Sequence, residues 1–300
     1  MNCNTLAASV SLSGKGLHTG KQVTVMLNPA AEGTGIVFRR VDLPGQPAVK
    51  ALATNVFDTS RGTSIKDGAA EVRTIEHLMA ALHGMQIDNL TVDINAEETP
   101  ILDGSSRLYV EAIQRAGLKE QNEERQYFVV TEPVTFSVPD KHVELRVEPF
   151  DGFEVAVDVD YGTAVLASQQ AELKDIKKFY PEIYNCRTFV FLHELQFLIA
   201  NNLVKGGDVD NAIVFVAQMP DRSVLDQLSS FFNRQNLKVT ENGVLDNIEL
   251  HHPNEPARHK LLDLVGDLYL LGKPLKGRVI ASHPGHYANT ELAKKLRRIG

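Results

Sequence analysis

Apolar residues recur along this chain with two different periods, and each change of period marks a change of element. VTVML at 23–27, GIVFRR at 35–40 and DNLTVDINA at 88–96 alternate and predict strands. Between the last two, EVRTIEHLMAALHG at 71–84 sets Val72, Ile75, Met79 and Leu82 at helical spacing, which predicts a helix over that stretch. DGSSRLYVEAIQRAG at 103–117 predicts a second helix, with Asp103 as its N-cap and Gly117 as its stop. The charged, turn-poor stretch KEQNEERQ at 119–126 then separates two units, 1–122 and 127–300.

Beyond that boundary, YFVV at 127–130, VELRV at 143–147 and the strict alternation of Phe153, Val155, Val157 and Val159 predict an antiparallel meander. NEPARHKLLDLVGDLYLLGKP at 254–274 predicts a helix that opens at Pro256 and ends before Gly272 and Pro274. RVIASH at 278–283 and HYANTELAKKLRRIG at 286–300 follow it. Both units thus run strands, helix, strand, loop, last helix: a repeat of architecture without a repeat of sequence. Strands grouped with helices that can cover one face predict an α+β fold. It would consist of two tandem two-layer sandwiches, each with helices packed on a mainly antiparallel sheet.

Composition narrows the function. Hydrophobic residues at 43% and charged residues at 23% exclude disordered, collagenous and coiled-coil chains. With 31 Lys and Arg against 38 Asp and Glu, the net charge of −7 argues against a general nucleic-acid or anionic-membrane binder. The two cysteines, Cys3 and Cys186, provide neither a disulfide framework nor a structural zinc finger. No apolar run approaches the ~18 residues of a membrane helix, and the N-terminus lacks a basic signal region, so a cytoplasmic protein is expected.

The chemistry concentrates in the predicted helices. In ARHKLLDLVGDL, His259, Asp263 and Asp267 stand at i, i+4 and i+8 and therefore share a helix side. A His and an Asp one turn apart can ligate one metal ion, although the same pair is also an ordinary helix surface. A catalytic zinc takes three protein ligands and an open position. His77 and His83 in TIEHLMAALH both offer the third ligand, and the vicinal His251 and His252 are another source. If His77 binds, Glu76 lies about 100° around the helix, where it can serve as a general base without ligating.

Several motifs in fixed order then resemble one family. They are GKGLHTG at 14–20, TIEHLMAALHG at 74–84, ETPILDGS at 98–105, CRTFVF at 186–191, KGGDVDNAIV at 205–214, NEPARHKLLDLVGDLYLLG at 254–272 and GH at 285–286. Over nearly its whole length the chain resembles the UDP-3-O-acyl-N-acetylglucosamine deacetylase family, zinc enzymes of the committed step of lipid A biosynthesis. The resemblance implies His77, His259 and Asp263 as zinc ligands and places the active site between the two units. It implies Glu76 as general base, Thr188 as hydrogen-bond donor to the oxyanion, His286 as general acid, Asp267 as the carboxylate that orients it, and Lys260 near the reacting centre. His18 and Lys205 fall in motifs assigned to substrate binding.

RTFVFLHELQFLIANNLVKGG at 187–207 is unusually apolar, and Phe189 and Leu195 within it are candidate contacts for an acyl chain. The resemblance implies a βαβ insert near 187–214 that forms a hydrophobic passage, and a UDP-linked acylated glucosamine as substrate. One departure is the long segment 217–254, in which VLDQLSSFF predicts an extra helix. Some family members continue beyond this point as a fusion to a hydroxyacyl-carrier-protein dehydratase. Two other classes remain open: a two-His, one-carboxylate iron oxygenase, and a non-catalytic sugar-nucleotide binding module.

Overall fold

The computed structural model describes residues 1–208, 210–245 and 248–299. Seven α-helices run through the described residues: α1 (Glu76–Gly84), α2 (Arg107–Ala116), α3 (Phe179–Glu182), α4 (Leu192–Ala200), α5 (Arg222–Phe231), α6 (Glu255–Leu268) and α7 (His286–Ile299). The chain is mixed α and β, as the α+β expectation requires.

Two larger sheets follow one wiring plan. In space, the first orders its strands Val10–Lys15, Gln22–Pro29, Leu90–Ile94, Ile36–Arg40 and Ala48–Lys50. Leu90–Ile94 arrives last, directly after α1, and lies antiparallel to Gln22–Pro29 and parallel to Ile36–Arg40. The second orders Val134–Val138, Val143–Glu148, Leu275–Ser282, Phe153–Val159 and Gln169–Leu173. Here Leu275–Ser282 arrives last, after α6, antiparallel to Val143–Glu148 and parallel to Phe153–Val159.

The expected antiparallel meander is therefore corrected. Val143–Glu148 and Phe153–Val159 are not neighbours, because a strand from more than a hundred residues later slots between them. Alternation identifies a strand and its buried face but says nothing about its partner. The central slot goes to a strand that buries Leu275, Gly277, Val279 and Ala281 on one face.

Three boundaries also move. Residues 71 and 72 of the expected first helix lie in the strand Ala70–Val72, paired with Ser64–Asp67, and α1 starts only at Glu76. Thr74 at φ 57° breaks the run, and Val72 is fully buried on the strand, as an apolar residue of a core-facing helix would be, so periodicity could not separate the two. Asp103 is not the N-cap of α2, which begins at Arg107 after Ser106. Its carboxylate instead accepts from the Ser105 N–H and hydroxyl and from Arg107 Nε, bracing the turn at Gly104, where φ is 79°. Most of the charged stretch at 119–126 is strand Leu118–Glu124, paired antiparallel with Asn2–Leu6. Its side chains are nearly all exposed, which lets a two-stranded ribbon carry so many charges. Gly117 does stop α2, at φ 73°.

The insert has the expected βαβ form: Phe189–Phe191 and Ile213–Phe215 pair in parallel with α4 between them. α5 is the extra helix anticipated in VLDQLSSFF. One apolar cluster takes in Phe38, Leu78 and Leu82 from the early chain and Leu262, Val265, Val279 and Leu292 from the late chain.

Within that core α1 packs on α6, and Gly266 sets how closely. A Cβ there would lie 2.2 Å from the Glu76 carbonyl oxygen and 2.9 Å from the Ala80 nitrogen, both rigid backbone atoms. Gly266→Ala must force the two helices apart. We expect it to cost about 1–3 kcal/mol of stability and to weaken metal binding, read by thermal denaturation and by metal titration. Unchanged affinity in a folded variant would mean that the crossing does not set the spacing of the ligands.

Candidate metal centre and catalytic cleft

The close crossing brings the start of α1 against the middle of α6. His77, His259 and Asp263 then offer ligand atoms that all lie within 4.8 Å of one another, and all three side chains are buried. Asp263 Oδ1 sits 3.6 Å from His77 Nε2 and 3.4 Å from His259 Nε2. The two rings stand edge to face, with centroids 5.0 Å apart. His259 Nδ1 lies 3.0 Å from the Cys186 carbonyl, so a proton placed there leaves Nε2 free to coordinate.

Charge and burial favour the ligand forms. Burial, with His259 adding to it, lowers His77 to about 3, and burial likewise lowers His259, so both imidazoles are neutral. Burial alone would raise Asp263, but His259 and Lys260 outweigh it and hold this carboxyl well below the usual range. Its Oδ2 accepts from Lys260 Nζ at 3.0 Å, while its buried Oδ1 has no hydrogen-bond partner among the described residues. An ionised oxygen left unsatisfied in a buried site is costly. A cation held by Oδ1 and the two Nε2 atoms removes that cost, so the donor set fits a metal of the zinc type.

Asp267, one turn beyond Asp263, is fully buried and serves a different group. Its Oδ2 accepts from His286 Nδ1 at 3.0 Å and from Asn289 Nδ2 at 2.9 Å, and its Oδ1 accepts from the Thr63 hydroxyl at 2.5 Å. Held in this way, the first residue of α7 points Nε2 to within 4.0 Å of Glu76 Oε1. Burial pulls His286 down, yet Asp267, Glu76 and Asp263 outweigh it and lift the imidazole to about 9. Glu76 goes the other way for a carboxyl: burial raises it to about 7, with His286 opposing and Asp263 and Asp267 adding. The cleft thus pairs a carboxyl poised near neutrality with a histidine protonated there, the division expected of a base and an acid.

Thr63 is the residue the sequence reading missed. Its N–H donates to Glu76 Oε2 at 2.9 Å and its hydroxyl to Asp267, so a single loop residue ties the candidate base to the support of the candidate acid. It sits in a Gly- and Ser-containing loop with no periodicity and no motif to single it out. Glu98 was likewise passed over. It is 1% exposed and accepts from the backbone N–H of His18 and from Thr19 Oγ1, which fixes the loop carrying His18.

A cavity of about 620 Å³ opens beside the metal cluster, and His18, Thr188, Phe189, Leu195, Lys260 and His286 all line it. Thr188 is pinned on both sides: its N–H donates to the Gly104 carbonyl at 2.8 Å, and its carbonyl accepts from Ile213 at 2.9 Å. Lys260 Nζ lies 5.7 Å from the Phe189 ring centroid; burial would lower this lysine, but Asp263 and Tyr161 keep it protonated. Lys205 is not among the residues lining the cavity. It is exposed beside it, with its N–H on the Leu17 carbonyl.

The other candidate ligands stand elsewhere. His83 stacks on Tyr269 with centroids 4.5 Å apart, and its Nδ1 lies 3.0 Å from the Val265 carbonyl. His251 has Nδ1 2.9 Å from the Asn185 carbonyl, and neither it nor His252 joins the cluster.

Known proteins share this chain's sequence nearly end to end. A family described as UDP-3-O-acyl N-acetylglycosamine deacetylase matches residues 3–228 and 230–298. The bifunctional enzyme LpxC/FabZ of Chlorobaculum tepidum is 43% identical over 297 residues, which cover 98% of this chain and 64% of that protein. Its counterpart in Porphyromonas gingivalis is 44% identical over 98% of this chain, again spanning 64% of the relative's length. The UDP-3-O-acyl-N-acetylglucosamine deacetylase of Pseudomonas entomophila is 38% identical over 97% of this chain and 89% of its own length. With the family matched across nearly every residue, the chain belongs to the UDP-3-O-acyl N-acetylglycosamine deacetylase family.

Proposed function

We propose that this chain hydrolyses the N-acetyl group of UDP-3-O-(3-hydroxyacyl)-N-acetylglucosamine, releasing acetate and the free amine, as the committed step of lipid A biosynthesis. The observation that carries this reading is the buried His77, His259 and Asp263 cluster, whose Asp263 Oδ1 has no hydrogen-bond partner among the described residues, with Glu76 and His286 beside it. Zinc is the proposed resident metal, held by those three residues. When bound, it supplies Lewis acidity, which polarises the amide carbonyl and acidifies water.

The chain's own residues then divide the remaining work. Glu76 takes a proton from the attacking water. Thr188 donates to the oxygen that becomes negative, a contribution of about 2.7–4 kcal/mol for one such donor. His286, oriented by Asp267, delivers a proton to the departing amine, so the nitrogen leaves neutral. Lys260 adds positive charge beside the reacting carbonyl. We place the acyl chain along Phe189 and Leu195, and assign His18 and the exposed Lys205 to the rest of the UDP-sugar.

The reading also takes the two wired-alike sheets as tandem sandwich units, 1–122 and 127–300, each giving one ligand helix to a site between them. It places the enzyme in the cytoplasm; none of the described helices is long and apolar enough to cross a membrane. In a longer natural product this module would be joined to a hydroxyacyl-carrier-protein dehydratase, in keeping with the relatives named LpxC/FabZ. An iron oxygenase using the same three ligands leaves Glu76 and His286 without a task, and a mere binding module leaves their opposed charge states unexplained.

The deciding measurement is acetate release from the acylated UDP-sugar by protein stripped with a chelator and then restored. Activity should vanish on stripping and return with stoichiometric zinc. Deacetylation that persists in metal-free protein would overturn the assignment.

A further inference from the structure

The passage beside the metal cluster has a far end, where the residue that follows α5 lines it. The two-stranded sheet of the insert has two faces. Phe189, Phe191, Ile213 and Phe215 turn one face toward Tyr161 and Leu166, on the metal side, where the Phe189 ring lies 6.3 Å from that of His259. Val190 and Val214 turn the other way, into a separate apolar cluster shared with Leu192 and Leu195 of α4 and Leu228 of α5.

The cavity reaches from the first environment into the second. Lys260 and His286 line it at the chemistry; Val190, Leu195 and Val214 line it within the second cluster, and there it also meets Phe232. Phe232 is the C-cap residue of α5, held by its N–H on the Leu228 carbonyl, with its ring edge-on to Phe231 at 5.0 Å. It is half-buried, and the preceding ring, Phe231, is exposed, so Phe232 stands at the edge of this apolar cluster.

We propose that Phe232 is the stop of the acyl passage and sets the longest chain this enzyme accepts. The inference rests on the acyl-substrate reading of the cavity. An apolar tunnel binds a chain by the water-exposed methylenes it buries, and each is worth about fourfold in affinity, the equivalent of about 0.8 kcal/mol. Methylenes that would collide with Phe232, or emerge past it into water, gain nothing. The accepted length should therefore break sharply at this ring.

The test is a ladder of acylated UDP-N-acetylglucosamine substrates, each longer by two methylenes, with kcat/KM measured for the zinc-loaded wild type and for Phe232→Ala and Phe232→Leu. The expected result is a shift of the optimum to longer chains. Phe232→Ala should raise the ratio of kcat/KM for the chain one step beyond the wild-type optimum to that at the optimum by about tenfold, through KM, and Phe232→Leu by less. Phe232→Leu, with a smaller change of volume, serves if the alanine variant does not fold. An unchanged optimum, or a uniform loss at every length, would overturn the assignment of Phe232. Failure of the wild type to deacetylate any member of the ladder would instead overturn the proposed reaction.

Discussion

Glu76→Gln should reduce kcat for acetate release by about 10²–10⁴-fold and leave one metal ion bound per chain. Glutamine keeps the size of the side chain, and its amide oxygen can still accept from the Thr63 N–H that now holds Oε2. What it loses is the ability to take a proton. The environment argues that this ability is what the position is built for: burial lifts Glu76 to about 7, close to the best compromise between being ionised and holding a proton. Steady-state kinetics on the variant, with metal content measured on the same sample, separate the possibilities. Loss of the metal along with the activity would make Glu76 a ligand in place of a base.

The sequence made some of this site legible and hid the rest for identifiable reasons. His259, Asp263 and Asp267 could be placed on one helix side because the spacing lies within a single continuous helix, where geometry follows from counting. Counting could not choose between His77 and His83, which both sit on α1. That choice is made by where α1 meets α6, and the contact depends on Gly266 lying under the Glu76 carbonyl, a relation across 190 positions of sequence. Thr63 escaped for the same reason, since its importance comes entirely from two distant partners. The meander failed because alternation carries no record of which strands pair, and the slot between Val143–Glu148 and Phe153–Val159 was filled from far along the chain.

One consequence of that wiring bears on the chemistry. In both sheets the helix precedes the central strand, so α1 and α6 are each anchored by the strand that follows at the middle of its sheet. Ligands on such helices have little freedom to drift relative to their own sheet. Their mutual distance is left to the α1 and α6 crossing, which is why Gly266, lying under the Glu76 carbonyl, is expected to set the spacing of His77, His259 and Asp263.

The proposed proton donor provides the other large effect. His286→Ala is expected to lower kcat by about 10²–10⁴-fold with metal stoichiometry unchanged, since His286 stands outside the ligand cluster. The pH dependence follows from the direction of its shift. Asp267, Glu76 and Asp263 raise His286 to about 9, so the acid form is present below that pH and is lost as pH rises through it. Activity of the wild type should therefore fall on an alkaline limb near pH 9. Asp267→Asn removes the largest of the influences that raise His286 and leaves burial, which lowers it. The alkaline limb should then move down toward neutral pH, with kcat reduced at pH 8 and partly recovered at pH 6. An unmoved limb in an otherwise active variant would assign the alkaline ionisation to another group and remove the reason for calling His286 the acid.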